Sequence, residues 1–269
     1  MTLIKPSKWQ PKSAVFAVLA SLWLFGQLTL VQPALADPVP TSNLSLKFRV
    51  YVFAMPTWFD GTVDVTFDEA QVVMNSVIDN FIISNWHRSE LTFSQCNYRP
   101  IRYHNRGFSP GWKFDDTVEY HWDDGLARYR GELQRPNQTV PTAQQLEHEL
   151  STDVSQGRYV DKLSQFFVMG CHFADESQQS PLLLTYLDDT IGRYRVRVVE
   201  RGKQLRVAGK LYQTIEVQSE PFEATPGSIH RRVNYWLVPE LGYLPALIKT
   251  KLGRLPLKVR LTDVELSKE

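Results

Sequence analysis

Apolar and polar positions alternate with a period of two along most of the chain, in short runs bounded by turn residues. "LKFRVYVF" (Leu46–Phe53) sets Leu46, Phe48, Val50 and Val52 against Lys47, Arg49 and Tyr51, and "TVDVTF" (Thr62–Phe67) repeats the pattern after an Asp60-Gly61 turn signal. Such alternation is the mark of a half-buried strand. Further strands are expected at Glu90–Gln95, Arg99–Asn105, Gly111–Trp122 and Leu126–Leu133, the last two joined through Asp123-Asp124-Gly125 as a hairpin. Beyond Pro181 the strands "LLLTYLD", "RYRVRVVERG", "LYQTIEVQSE", "HRRVNYWLV", "ALIKTKLG" and "LKVRLTDVEL" return, with a hairpin turn expected at Arg201-Gly202-Lys203 and a turn at Asp188-Asp189.

The middle of the chain departs from this period. "TAQQLEHELS" (Thr142–Ser151) reads as a short helix. "RYVDKLSQFFVMGC" places Tyr159, Leu163, Phe166, Phe167 and Gly170 at helical spacing, with Asp161 available as a cap. The pattern predicts a mainly β protein: a curved antiparallel sheet, as an open barrel or sandwich, with one or two short helices.

The N-terminus follows another rule. Lys5, Lys8 and Lys12 precede the uncharged run Ala14–Leu30, which ends near Ala34-Leu35-Ala36. This is the layout of a secretory signal peptide cut after Ala36. The expected organisation is a leader over 1–36, a polar linker over 37–43 and one β-rich domain over 44–269, exported to the periplasm. The leader holds three of the 30 basic residues and none of the 29 acidic ones, so the remainder carries a net charge of −2. A balance so near zero argues against nucleic acid as a partner. The two cysteines, Cys96 and Cys171, read in an oxidising compartment either as a disulfide or as two separate buried thiols.

Catalytic signatures are missing. There is no G-x-S-x-G elbow, P-loop or G-x-G-x-x-G. "HELST" begins like a zinc-protease helix but has Thr152 where the second imidazole would stand, and the six histidines fall at no ligand spacing, so neither metal nor cofactor is expected. Asp115-Asp116 and Asp123-Asp124 are adjacent pairs, and neighbours on a strand point to opposite faces, so each pair offers one carboxylate per side. Aromatics are plentiful: Trp58, Trp86, Trp112, Trp122 and Trp236 stand among many Tyr and Phe. They suit either a packed core or the lining of a ligand-holding barrel.

The segment "VNYWLVPELGYLPALIK" resembles the C-terminal signature of an uncharacterised bacterial family, domain of unknown function 3108. Arg231 or Arg232, Trp236, Pro239, Leu244 and Pro245 follow the order of that signature, and "LKVRLTDVEL" matches its closing strand. "CNYRPIRYHNRG" is similar to its Pro-containing strand, "KFDD" to its Phe-Asp segment, and Asp161 and Ser164 to its Asp-x-x-Ser helix. Ala246-Leu247 stands where a basic residue is common. The resemblance implies an exported curved-sheet protein, some of whose relatives look like periplasmic lipoprotein carriers, and it brings no catalytic residue. In physical terms Pro239 and Pro245 around Gly242 would fix a corner between the last strands, with Trp236 and Tyr243 packed over it.

Three functions compete on this reading. The first is a non-enzymatic carrier of an apolar, lipid-like ligand, with Trp112, Trp236 and Tyr243 as candidate contacts. The second is an envelope assembly factor acting through a protein partner. The third is a hydrolase of envelope polymers, which requires carboxylates converging in a cleft.

Overall fold

The chain divides into two units, residues 1–36 and 37–269. The computed structural model describes residues 43–266, apart from positions 69, 81–82, 95, 137, 153–156, 177, 179, 223–231 and 253. The expected leader and nearly all of the expected linker lie outside the described residues.

The second unit is one sheet of fifteen strands with a short helix against it. The strands are β1 (Leu44–Val52), β2 (Met55–Asp68), β3 (Gln71–Asp79), β4 (Ser84–Ser94), β5 (Asn97–Ser109), β6 (Trp112–His121), β7 (Leu126–Gln134) and β8 (Thr142–Glu149). After them come β9 (Arg158–Val160), the helix α1 (Gln165–Ala174), β10 (Leu182–Leu187), β11 (Ile191–Val207), β12 (Lys210–Pro221), β13 (Val233–Val238), β14 (Leu244–Leu252) and β15 (Leu255–Leu266). Spatial order is β8-β7-β6-β5-β4-β3-β2-β1-β15-β14-β13-β12-β11-β10-β9. Two antiparallel meanders therefore run outward from a central β1·β15 pair, in which Leu44 faces Leu266 and Val52 faces Leu257. Only β9 is parallel to its neighbour.

The sheet curls until its two ends meet through side chains. Tyr159 Oη, from β9, accepts from the Ser151 amide at 3.1 Å and donates to the Glu149 carbonyl at 3.4 Å, at the end of β8. His148 Nε2 lies 3.2 Å from the Asp188 carbonyl.

Inside the curl lies α1. Phe166, Phe167, Val168, Met169 and Phe173 are all buried, as befits a helix apolar on nearly every side. Phe167 stacks on Tyr98 of β5 and meets Phe67 of β2 edge-on, while Phe166 meets Tyr235 of β13. Each such side chain removed from water contributes about 1.5–3 kcal/mol, so the helix joins both arms into one core. A disulfide, Cys96–Cys171, fastens it to the β4–β5 turn, with a Cα separation of 5.6 Å.

Several expected elements fall elsewhere. Thr142–Ser151 is no helix but the edge strand β8. Its Ala, Gln and Glu favour a helix locally, yet the open ladder of β7 offers pairing along the whole segment. Arg201-Gly202-Lys203 is not a hairpin turn; Gly202, at φ 79°, forms a bulge inside the 17-residue β11. The turn comes at Ala208-Gly209, both with positive φ, the geometry of a two-residue type I′ hairpin. Asp60-Gly61 lies within β2, where Asp60 pairs with Arg49 across the ladder at 2.8 and 3.0 Å.

β3 has no counterpart in the alternation reading. Val73 and Val77 make its outer face apolar too, and Ser76 interrupts its inner row. The Pro-Gly corner falls among the last strands, as expected, and joins β13 to β14. Pro239–Leu241 makes one 3-10 turn ended by Gly242 at φ 63°, and Pro245 sits where the β13·β14 register slips. Tyr243 turns from that corner onto α1, and a Cβ on Gly170 would come within 2.7 Å of its ring. Trp236 faces away from the corner, on the opposite side of β13 from Tyr235, beneath Lys249 and Lys203.

Candidate functional site

Two cavities open on the concave face, both against strands of the β1–β8 meander. The first, about 270 Å³, is enclosed by alternate residues of β1 (Leu46, Phe48, Val50), β2 (Gly61, Val63) and β3 (Met74, Ser76, Ile78). Ile248 and Val259 close it on the β14–β15 side, and Leu163, Gln165 and Phe166 on the helix side. Its wall is almost wholly hydrocarbon. Gly61 keeps it open on the β2 side, because a Cβ there would meet Ile78 Cγ1 at 2.9 Å. Exposure rises along β1 from Leu46 (1%) through Phe48 (7%) to Val50 (9%). Val50 is the lining residue of β1 that stands nearest the β1–β2 and β14–β15 turns.

The second cavity, about 230 Å³, lies among β5–β8 and the β10–β11 turn, and nearly half of its wall is polar. Asp116 of β6 accepts from Tyr129 Oη at 3.0 Å and from Asn105 Nδ2 at 3.4 Å. Asp188 and Asp189 enter from the β10–β11 turn, and Asp188 Oδ1 accepts from the Thr190 amide and hydroxyl at 3.0 and 3.2 Å. Burial raises the Asp116 carboxyl above its usual range, while Tyr129 and Lys162 pull the other way. Asp189 is raised by burial first and by the Asp188 charge second. Asn105 Oδ1 is buried there without a hydrogen-bond partner. Asp115, the neighbour of Asp116, points outward to His104 Nε2 at 2.7 Å, as strand alternation requires.

A polar partition separates the cavities. Lys162 lines both. His87, on the apolar side, has its Nδ1 2.6 Å from Tyr103 Oη, on the polar side. Burial, reinforced by the Lys162 charge, pushes His87 down to about 3, so the ring is neutral at neutral pH and shares one hydrogen bond with the Tyr103 hydroxyl, whose direction follows the tautomer. Behind the partition stands Asp161, buried at the lead-in to α1. Its Oδ2 accepts from Ser89 Oγ at 2.7 Å, and its Oδ1 accepts from the amides of Leu163 (2.8 Å) and Ser164 (2.9 Å). In return, Ser164 Oγ accepts from the Asp161 amide at 2.9 Å. Asp161 thus caps the turn before the helix and ties it to β4, with Ser164 as its reciprocal partner.

The fold compares with a known one. A solved structure, the β-barrel-like protein of domain of unknown function DUF1849 from Brucella abortus, superposes with a TM-score of 0.50 at 11% identity, covering 84% of this chain and 98% of that one. The fold is β-barrel-like. At that identity the likeness concerns architecture alone. No family model and no curated protein matches the chain.

Of the residues singled out from sequence, Trp112, Trp236 and Tyr243 line neither cavity. Trp112 stands exposed on the β5–β6 hairpin, Trp236 is covered by lysines on the outer face, and Tyr243 is packed on Gly170. Sequence reasoning missed the lining residues Ser76, Ile78, His87, Lys162 and Asn105. The inner rows of β1 and β2 were readable as strand faces, but which rows would border a void depends on how far α1 fills the curl.

Proposed function

We propose that this protein is an exported, periplasmic binding or carrier module for an apolar, lipid-like ligand. On this reading the leader is removed after Ala36, and the remainder is a single domain of the kind described as domain of unknown function 3108. The observation that carries the reading is the hydrocarbon-lined cavity of about 270 Å³ on the concave face, close to the lower end of the ligand-pocket range, roughly 300 Å³. Its polar end, with Lys162, His87 and Gln165, suits a ligand whose chain is buried and whose head remains at the partition. The Cys96–Cys171 disulfide supports an oxidising compartment.

Native mass spectrometry of protein prepared from the envelope without detergent tests this. The expected result is a reproducible extra mass, lost on denaturation and diminished in Ser76→Phe, which fills the apolar cavity. A bare mass for the unmodified protein would sink the carrier reading and turn attention to capture of a protein partner.

A second reading rests on the polar cavity, where Asp116, Asp188 and Asp189 converge. Carboxyls with raised affinity for protons are the equipment of a glycan hydrolase. Release of reducing ends from envelope polysaccharide, abolished by Asp116→Asn, would establish it; no release would dismiss it.

A further inference from the structure

Antiparallel order places the β1–β2, β3–β4, β5–β6, β7–β8 and β14–β15 turns, and the last residues of β12, at one end of the sheet. Most of the large apolar side chains left in solvent collect there. Phe53 (58% exposed), Met55 (68%) and Trp58 (84%) crown the β1–β2 turn, and Leu255 begins β15 beside them. Phe108 and Trp112 extend the row along the β5–β6 hairpin.

The crown is built rather than frayed. Phe53 and Ala54 are consecutive non-glycine residues with positive φ, 57° and 138°. The Phe53 amide donates to the Pro256 carbonyl at 3.1 Å, locking the β1–β2 turn to β15. Thr57 Oγ1 donates to the Val50 carbonyl at 2.8 Å and accepts from the Phe59 amide at 3.2 Å, across a register slip between Arg49 and Tyr51. Trp58 stands outward at that slip. Backbone held in sparsely populated conformations persists only where the surroundings impose it, and it gathers at sites with a task.

The charge beside the crown is one-sided. Lys251 and Arg254 flank Leu255 and form no ion pair among the described residues, and Lys258 lies 4.3 Å over the Tyr51 ring. Of the acids nearby, Asp60 is neutralised by Arg49, which leaves Asp79 on the β3–β4 side. Exposed Trp, Phe and Met next to unpaired Lys and Arg form the profile of a surface that settles into the interface of an anionic bilayer. The part of the apolar cavity lined by Val50, Ile78 and Ile248 lies toward this same end of the sheet.

We infer that the Phe53–Trp58 crown, with Lys251 and Arg254, is a docking lip for anionic phospholipid membranes, holding that end of the cavity against the bilayer. The lip takes its purpose from the carrier reading and is tested apart from it. The full-length chain is floated with vesicles of equal parts phosphatidylglycerol and phosphatidylcholine, and with phosphatidylcholine alone. Residues 1–36 are common to every variant, so the lip is read in differences between variants.

Lys251→Gln with Arg254→Gln should weaken partition onto the anionic vesicles on the order of twentyfold, about fivefold per charge, with little change on phosphatidylcholine. Phe53→Ser with Trp58→Ser should weaken both. Brominated acyl chains should quench the unmodified protein more than the conservative, solvent-facing Trp58→Phe, a comparison that does not depend on whether the serine variants fold. Equal partition by all variants, or quenching indifferent to Trp58→Phe, overturns the lip. Cargo detected by mass without any docking would remove the lip alone, and docking without cargo would remove the carrier reading alone.

Discussion

Two stretches of the β1–β8 meander share a period and a hand, yet they enclose different environments. On β1–β3 the inward rows are Leu46, Phe48, Val50 and Met74, Ser76, Ile78; on β5–β7 they include Tyr103, Asn105, Asp116, Tyr129 and Gly131. The first stretch belongs to the large core around α1, whereas the second has a small cluster of its own, with Val118, Tyr120 and Ala127. Strand alternation decides which residues face in. It does not decide what the interior is made of, and that difference separates a place for a hydrocarbon chain from a place for hydrogen-bonding groups. Lys162, at the lead-in to the helix, stands where the two meet.

The largest disturbance should come from releasing the helix that both arms grip. Replacing Cys96 and Cys171 by serine opens a link spanning 75 residues and should cost about 4 kcal/mol of stability, read from urea unfolding with and without reductant. Cutting the polar anchor should come next. Asp161→Ala leaves Ser89 Oγ and two amides without their acceptor in a buried site, with an expected loss of roughly 2–4 kcal/mol.

The partition has its own pH dependence. Burial holds the folded His87 down at about 3, below the ordinary 6.5, so it adds stability above 6.5 that is lost as pH falls towards 3, up to roughly 5 kcal/mol. Asp116, Asp161 and Asp189, raised in the fold, act in the opposite sense: their contribution is largest below the ordinary carboxyl range and declines as pH rises through their raised values. His87→Gln should therefore flatten the acid limb of a stability–pH curve; an unchanged limb would rule His87 out as its cause. The smallest effect should be confined to the polar stretch of β5–β7. A Cβ on Gly131 would come 2.0 Å from Tyr129 Oη and 2.8 Å from Asp116 Oδ1, so Gly131→Ala should cost about 1–3 kcal/mol through displacement of the tyrosine. It should leave any cargo mass intact, where Ser76→Phe diminishes it.

Much of the fold could be read from alternation. β1, β2 and the β6–β7 hairpin stand close to where Leu46–Phe53, Thr62–Phe67 and Asp123-Asp124-Gly125 put them. β3 escaped because both its faces are apolar at Val72, Val73 and Val77, and β8 because an edge strand takes its conformation from its neighbour rather than from its own propensities. The site was far less legible. Asp188 and Asp189 were recognisable as a turn, and nothing local says that this turn reaches Asp116 some seventy positions earlier. That juxtaposition follows from the curl, which brings the ends of the sheet together only after every strand has been placed.

One feature of the strand order bears on how the molecule comes into being. The first strand and the last are partners at the centre of the sheet. Each arm assembles from hairpins between consecutive strands, which close quickly because their contacts are local. β1 alone must keep one ladder edge bare until the final segment arrives, and a bare edge invites pairing with other chains. A chain made or threaded from its N-terminus therefore carries its hazard from the first moment to the last. Losing β15 from the C-terminus would leave not a shortened sheet but two separate ones.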